Sequence, residues 1–351
     1  VLSCELRADA RLRKKHTCIW DAQRHPKAHP FLTNKKLRNN LLDSKHLSAR
    51  IKELAARHGF DACGISEACF LEESAPRLEK WLAQGHHGTM GYMERNFDKR
   101  LDPRLLVPGA KSIVSLLMNY FPSSALPHER RPNVPLFAKY SYGEDYHVVL
   151  REKMHSICAA LKSEAGDFSY RVFTDSAPVL EREWARRAGL GWIGKNSHLI
   201  MPQAGSYFFL SEIILDLPLE YDAPDTMQDR CGACRRCQMA CPTGAIDGSR
   251  TIDASRCLSY LTIELKSEIP DSYVSKLGGR AYGCDACIDA CPWNKFAKPS
   301  SQPRFSPQSN FLDLTCNEWL DMNEDTFTEK FSRTAFYRTG LDKIKSTIAK
   351  L

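Results

Sequence analysis

Seven of the chain's fourteen cysteines fall in two blocks, Cys231-x2-Cys234-x2-Cys237-x3-Cys241-Pro242 and Cys284-x2-Cys287-x3-Cys291-Pro292, with an eighth, Cys257, alone between them. Nothing else in the sequence constrains the fold as much. Three thiolates at x2 spacing in a tight turn can each take one corner iron of a cubane, while the cysteine before proline is carried off to face a second cluster. By that crossing rule Cys231, Cys234, Cys237 and Cys291 form one [4Fe-4S] site, and Cys241, Cys257, Cys284 and Cys287 the other. Zinc sites also use paired C-x2-C units, but they need only four ligands each and give no reason for proline after both final cysteines. A disulfide framework fits less well still, because a chain of 351 residues buries a core without staples and shows no export signal. The thiols are therefore expected to stay reduced, in the cytoplasm. Cys4, Cys18, Cys63, Cys69, Cys158 and Cys316 show no ligand spacing and read as small hydrophobes or bystanders.

Length and composition, 43% hydrophobic and 26% charged, are those of a globular protein of two or three domains. No apolar run approaches the roughly 18 residues of a membrane span. The best, Ile113 to Met118, is strand-sized. The net charge of +7 invites a nucleic-acid reading until it is located: residues 1–40 carry ten Lys/Arg against three Asp/Glu, and the rest balances at 39 against 39. A basic arm touching RNA and an organelle presequence are both open for that segment. The favoured expectation is a disordered extension, with the folded body starting near Leu41.

Along that body, Ser44 is placed to cap a helix with Leu47, Ile51, Leu54 and Ala55 on one face, ending at Gly59. Phe60–Ser66, Lys111–Asn119, Tyr170–Thr174 and Tyr207–Asp216 read as strands. Leu150, Met154, Ile157 and Leu161 make a helical stripe after Asp145, and Val179–Ala188 is helical with Gly189 as its stop. Strands and helices interleave, so residues 41–220 are expected to form an α+β, α/β-like domain. Residues 221–300 form the cysteine module, whose core the clusters themselves organise, and 301–351 a short helical C-terminus.

A cluster module needs no large companion unless something there receives the electrons. The candidate stretches are Tyr140–His147, Thr174–Arg182 and Gly189–Asn196, the last with glycines that let backbone approach a flat ligand. Gly189-x-Gly191-x-x-Gly194 matches a dinucleotide fingerprint in letters, but it follows a helix instead of a strand, which argues against NAD.

Gly143-Glu-Asp-Tyr-His147, Asp175 with Pro178 and Arg182, Ala188-Gly-Leu-Gly-Trp-Ile-Gly-Lys-Asn196, both cysteine blocks and Cys291-Pro-Trp-Asn294 together resemble the epoxyqueuosine reductases, cobalamin-dependent iron–sulfur enzymes of tRNA queuosine modification. The resemblance covers roughly residues 44 to 340. It implies a nitroreductase-like domain and a ferredoxin-like module with cobalamin held between them, and reduction of the epoxide at the wobble base of a tRNA to an alkene. The family often carries a longer helical-repeat C-terminus, whereas only 60 residues follow Cys291 here.

The resemblance makes Asp175 the proton donor, with burial against the corrin expected to raise its pKa; the alternative is a helix cap. Tyr146 and His147 match the pair lining the cobalamin site, and Asp145 is read as the cap of the helix behind them. Arg100, Lys195 and Asn196 are candidates for the corrin amides or nucleotide tail. No Asp-x-His-x-x-Gly signature is present, so no histidine is assigned to cobalt. Arg235 and Arg236 are candidate phosphate contacts, and Trp192 and Trp293 candidate stacking platforms for which buried packing is the better expectation. The expected partners are tRNA and an unidentified electron donor, with the chain a monomer. The rivals are a corrinoid reductive dehalogenase and a non-catalytic iron–sulfur electron carrier.

Overall fold

The computed structural model describes residues 34–122, 131–222, 228–307 and 310–351. Two eight-residue runs, Ser112–Asn119 and Phe208–Leu215, are apolar on both faces and buried almost end to end, which puts them at the centre of a sheet. They pair antiparallel from Ser112 opposite Leu215 to Asn119 opposite Phe208. Ala62–Glu67 flanks the first and Tyr170–Phe173 the second, both antiparallel, closing a four-stranded sheet. Because every pairing in that sheet is antiparallel, the interleaved elements resolve to α+β.

One face of the sheet, through Val114, Leu116, Ile213 and Leu215, packs on the helices Asn34–Arg57 and Tyr146–Ala165, which supply Ile51, Leu54, Leu150, Met154 and Ile157. The other face takes the short helix Glu181–Arg187, whose Trp184 is buried against Ile113 and Ile214. Gly64 allows this approach. A Cβ there would stand 2.5 Å from the Ala188 carbonyl oxygen.

The first helix departs from expectation. It begins at Asn34, so Ser44 lies inside it and its carbonyl accepts the Ser48 hydroxyl at 2.7 Å. Once a helix is nucleated, extension through good formers such as Lys35, Lys36, Leu37 and Arg38 is cheap, and no cap is needed at Ser44. The expected disordered extension therefore ends before residue 40, and its residues 1–33 lie outside those described. Asp145 does cap the 146–165 helix, accepting the His147 N–H at 3.0 Å.

The cysteine module has short helices and one short strand, Arg280–Tyr282, which runs parallel to Leu136–Phe137, around a small core of Leu258, Tyr260, Leu261, Ile269 and Leu277. It is tied to the sheet domain where the Tyr260 hydroxyl meets the Thr89 N–H at 2.9 Å and the Trp81 indole donates to the Ile252 carbonyl at 2.8 Å. The C-terminal segment covers the seam. Its Phe311, Trp319, Phe327, Phe331 and Phe336 share one core with Phe137 and Tyr142 of the sheet domain and Tyr282 of the module. Among the described residues no helix is long and apolar enough to cross a membrane.

Candidate functional site

Strand Tyr170–Phe173 delivers the chain to Thr174, whose buried hydroxyl donates to the Leu210 carbonyl at 2.9 Å and anchors the turn that follows. Asp175 then sits at φ +52°, the left-handed region that Asp and Asn tolerate better than most residues. Its backbone N–H donates to the Glu181 carboxylate, and its side chain stays 63% exposed. Asp175 is thus not a helix cap.

The Asp145 cap sets the first helical turn so that Tyr146 and His147 reach the same carboxylate. Tyr146 Oη donates to Asp175 Oδ2 at 2.9 Å, and His147 Nε2 lies 3.2 Å from that oxygen. The other imidazole nitrogen, Nδ1, is 2.6 Å from Asp145 Oδ1. The Tyr146 ring is held flat, stacked 4.3 Å from Phe209 and 4.1 Å from His147. Burial alone would push the His147 imidazole down, but its two carboxylate partners push it up and prevail. The same partnership acts on Asp175. Desolvation raises its carboxyl, yet the His147 hydrogen bond and charge, the Tyr146 hydroxyl and Arg338 outweigh it and hold the carboxyl below the usual range. In the protein alone, then, His147 opposes the rise expected from burial against a corrin.

Two acids behind Asp175 were not singled out from the sequence. Burial, reinforced by the Asp175 charge, pushes Glu181 up to about 8. Glu212 is fully buried on the Phe208–Leu215 strand, opposite Phe173 and Ser115, and neither carboxyl oxygen has a partner among the described residues. Burial and then Glu181 push it well above the carboxylate range. A lone acid in the run Phe-Phe-Leu-Ser-Glu-Ile-Ile-Leu was the available signal.

Arg100 is only 7% exposed, with Nη2 3.4 Å from the Tyr92 carbonyl and a buried Nε that has no partner among the described residues. Tyr92 stands between it and the carboxylates: burial, then Glu264 and Asp175, push its phenol up to about 12, against the pull of Arg100. Glu264 belongs to the cysteine module, so charges of both units act on Tyr92.

Lys195 and Asn196 lie elsewhere. Lys195 Nζ donates to the carbonyls of Gly232 and Cys234, at 2.5 and 3.0 Å, and Asn196 Nδ2 to that of Cys287 at 3.3 Å, so the pair ties one cysteine loop to the other. The glycines before them do not face a flat ligand. A Cβ on Gly191 would lie 2.4 Å from the Ile200 carbonyl oxygen and one on Gly194 2.5 Å from Ile200 Cδ1, so both serve a tight two-stranded turn, Trp192–Ile193 with Leu199–Ile200. Trp192 is buried, edge-on to Trp293 at 5.0 Å.

Cys231, Cys234, Cys237 and Cys291 line one cavity of about 60 Å³, closed by Lys195 and Trp293. The other four thiols act on one another: burial, then Cys284, Cys257 and Cys241, push Cys287 far up, and burial takes Cys284 up to about 11. All eight are free of disulfides. Cys63, Cys69, Cys158 and Cys316 are likewise outside any disulfide, with Cys69 and Cys158 buried, while Cys4 and Cys18 lie outside the described residues.

Residues 230–294 match the 4Fe-4S double cluster binding domain, and residues 100–176 match the family described as epoxyqueuosine reductase QueG, DUF1730. An epoxyqueuosine reductase of Cyclobacterium marinum is 53% identical over 298 residues, 85% of this chain and 94% of that one. The Pseudomonas aeruginosa protein of the same name is 38% identical, covering 89% of this chain and 87% of its own. A crystal structure of epoxyqueuosine reductase with an epoxyqueuosine-modified tRNA-Tyr stem loop superposes with TM-score 0.81 at 33% identity, over 87% of this chain and 80% of that one. The Bacillus subtilis enzyme, with its catalytic loop swung out of the active site, gives TM-score 0.79 at 33% identity and the same coverage. Identity of this extent over nearly the whole length of such relatives means that the chain belongs to the epoxyqueuosine reductase family.

Proposed function

We propose that the chain reduces epoxyqueuosine at the wobble position of a tRNA anticodon to queuosine, at Asp175, using two [4Fe-4S] clusters and a bound cobalamin. Membership in a reductase family sets aside the bare electron-carrier reading. The observation that carries the assignment is a single carboxylate, Asp175, that takes Tyr146 and His147 on Oδ2 and leaves Oδ1 without a partner among the described residues.

The reaction consumes two electrons and two protons: both carbon–oxygen bonds of the epoxide break, an alkene forms and the oxygen leaves as water. Expelling that oxygen unprotonated into a dry pocket is costly, so a positioned acid is required. His147 stores one proton at Nε2, next to Asp175 Oδ2. Asp175 takes it up and, as the carboxylic acid, hands one of the two protons to the departing oxygen, solvent supplying the second, while Tyr146 Oη holds the carboxyl group in position.

Cobalamin, when bound, supplies a strongly reducing metal centre that delivers electrons to an epoxide carbon. The residues around Asp175 suit it, because the orphaned Nε of Arg100 is a buried donor for a corrin side-chain amide and the rings of Tyr146 and Tyr92 are flat and apolar. Lys195 and Asn196 hold the cluster loops in register instead of touching the corrin. The crossed ligand sets are supported by the cavity that gathers Cys231, Cys234, Cys237 and Cys291. Reduced thiols and a tRNA substrate agree with a cytoplasmic setting.

The test is mass spectrometry of nucleosides from epoxyqueuosine-containing tRNA after anaerobic incubation with the protein, cobalamin and a low-potential reductant. Queuosine should accumulate, and only with cobalamin present. Absence of queuosine from a preparation holding about eight irons per chain would sink the proposal.

A further inference from the structure

Met239 is 84% exposed, more than any other large apolar side chain among the described residues. It sits in the helix Arg236–Ala240, two residues after Cys237 and two before Cys241. Arg230, Arg235 and Arg236 are exposed around it, and none of their guanidinium groups has an ion-pair or hydrogen-bond partner among the described residues. The nearest acid, Asp229, is already paired with Arg250. Lone cationic side chains are usually just solvated, but a strongly exposed apolar side chain on the same short stretch of chain as three uncommitted arginines is the composition of an interface.

Its place in the fold gives it a task. The loop of Cys231 and Cys234 is flanked by exposed Asp229, Arg230, Gly232 and Ala233, whereas Cys284 and Cys287 follow buried Tyr282 and Gly283 and precede buried Ile288. Cys287 Sγ stands 4.0 Å from His198 Nε2, and the Ser197 carbonyl next to it accepts Arg182 Nη1 at 2.6 Å, on the helix that carries Glu181. The first cysteine foursome thus lies under the exposed strip, and the second lies between it and the Asp175 site.

We propose that Arg230, Arg235, Arg236 and Met239 form the docking face for an acidic, low-potential one-electron carrier protein, a reading that rests on the two-cluster assignment above. Each encounter oxidises the carrier by one electron and reduces the outer cluster by one; two encounters supply one epoxide, and no atoms are exchanged. Redox encounters bury little area and depend on charge to find their register, which suits a face this small. RNA phosphates would also take the arginines, but they gain nothing from an exposed thioether, so the composition favours a protein.

The probe is a reduced flavodoxin, an acidic flavin protein, mixed anaerobically with the cluster-loaded full chain while cluster absorbance is followed, with oxidised flavodoxin titrated calorimetrically alongside. For the Arg235→Glu, Arg236→Glu double variant, reduction at low salt should slow by about tenfold or more, the scale of lost electrostatic steering, and binding should weaken in step. Raising salt should slow the wild type and leave the variant nearly unchanged. Methyl viologen radical should reduce both proteins equally, showing intact clusters. If charge reversal between ligands costs iron, the milder Arg235→Gln, Arg236→Gln pair carries the same expectation. Equal flavodoxin rates in wild type and variant overturn the docking face, and equal rates with lost affinity for an anticodon stem loop assign it to RNA instead. If viologen bleaches no cluster in the wild type, the cluster assignment falls and the docking face with it.

Discussion

His147 is held between two carboxylates, with Nε2 3.2 Å from Asp175 Oδ2 and Nδ1 2.6 Å from Asp145 Oδ1. Both ring nitrogens then act as donors, which is the protonation pattern of an imidazolium. Asp145 does two things at once, capping a helix and fixing the orientation of the ring that serves the site. The proposed acid chemistry therefore rests on a pair, His147 as the proton store and the Asp175 carboxylate that would present the proton.

Asp175→Asn tests the presenting half. Asn tolerates φ +52° and keeps the side chain's size, so fold, clusters and cobalamin binding should persist. Turnover of epoxyqueuosine should fall on the order of 10²-fold or more, the scale of a removed general acid. Near-wild-type turnover in a fully loaded variant would move the role to His147 or Tyr146.

The storing half has a pH signature. The His147 pKa is raised in the fold, so its imidazolium is complete below the unfolded value of about 6.5 and is lost as pH rises through the folded value. Single-turnover rates with pre-reduced protein should decline on the alkaline side of neutrality. In His147→Gln that limb should disappear along with most of the rate, and an unchanged alkaline limb would show that another group sets it.

Much of this was legible in the sequence because the signals were local. Proline-terminated cysteine runs and unbroken apolar stretches such as Ile113–Met118 carry their meaning in spacing, and Asp145 before Tyr146 is a short-range cap. What escaped depended on tertiary neighbours. The downward shift of Asp175 comes from His147, 28 residues away, and the packing use of Gly191 and Gly194 comes from Ile200 across a turn too short to show a strand pattern. The cap at Ser44 failed for the opposite reason: a favourable residue type does not stop a helix that already runs through it.

The crossed ligation predicts a split in cysteine variants. Cys237→Ser should damage the cluster shared with Cys231, Cys234 and Cys291, and Cys287→Ser the one shared with Cys241, Cys257 and Cys284. Low-temperature electron paramagnetic resonance of the reduced proteins should then lose different signals in the two cases. Loss of the same signal from both variants would contradict the two ligand sets.

Glu212 makes a claim on stability that is independent of any cofactor. Fully buried and with no partner for either oxygen among the described residues, it stays neutral in the fold, under pressure from burial and from Glu181. In the unfolded chain it ionises near the ordinary carboxylate pKa of about 4.3. The folded state therefore holds a proton that the unfolded state releases, and stability must fall as pH rises above that value, by about 1.4 kcal/mol per pH unit for each such group. For Glu181 the fall ends at about 8. Glu212→Gln keeps the shape and removes one titration, so its melting temperature should gain on the wild type steadily from pH 6 to pH 8. The offset at any one pH is not diagnostic, because the amide is also buried without partners; the slope is. A difference that stays flat over that range would mean Glu212 is ionised in the fold. A second negative charge would then lie on the strand beside Phe173, acting through Glu181 on Asp175, the proposed acid.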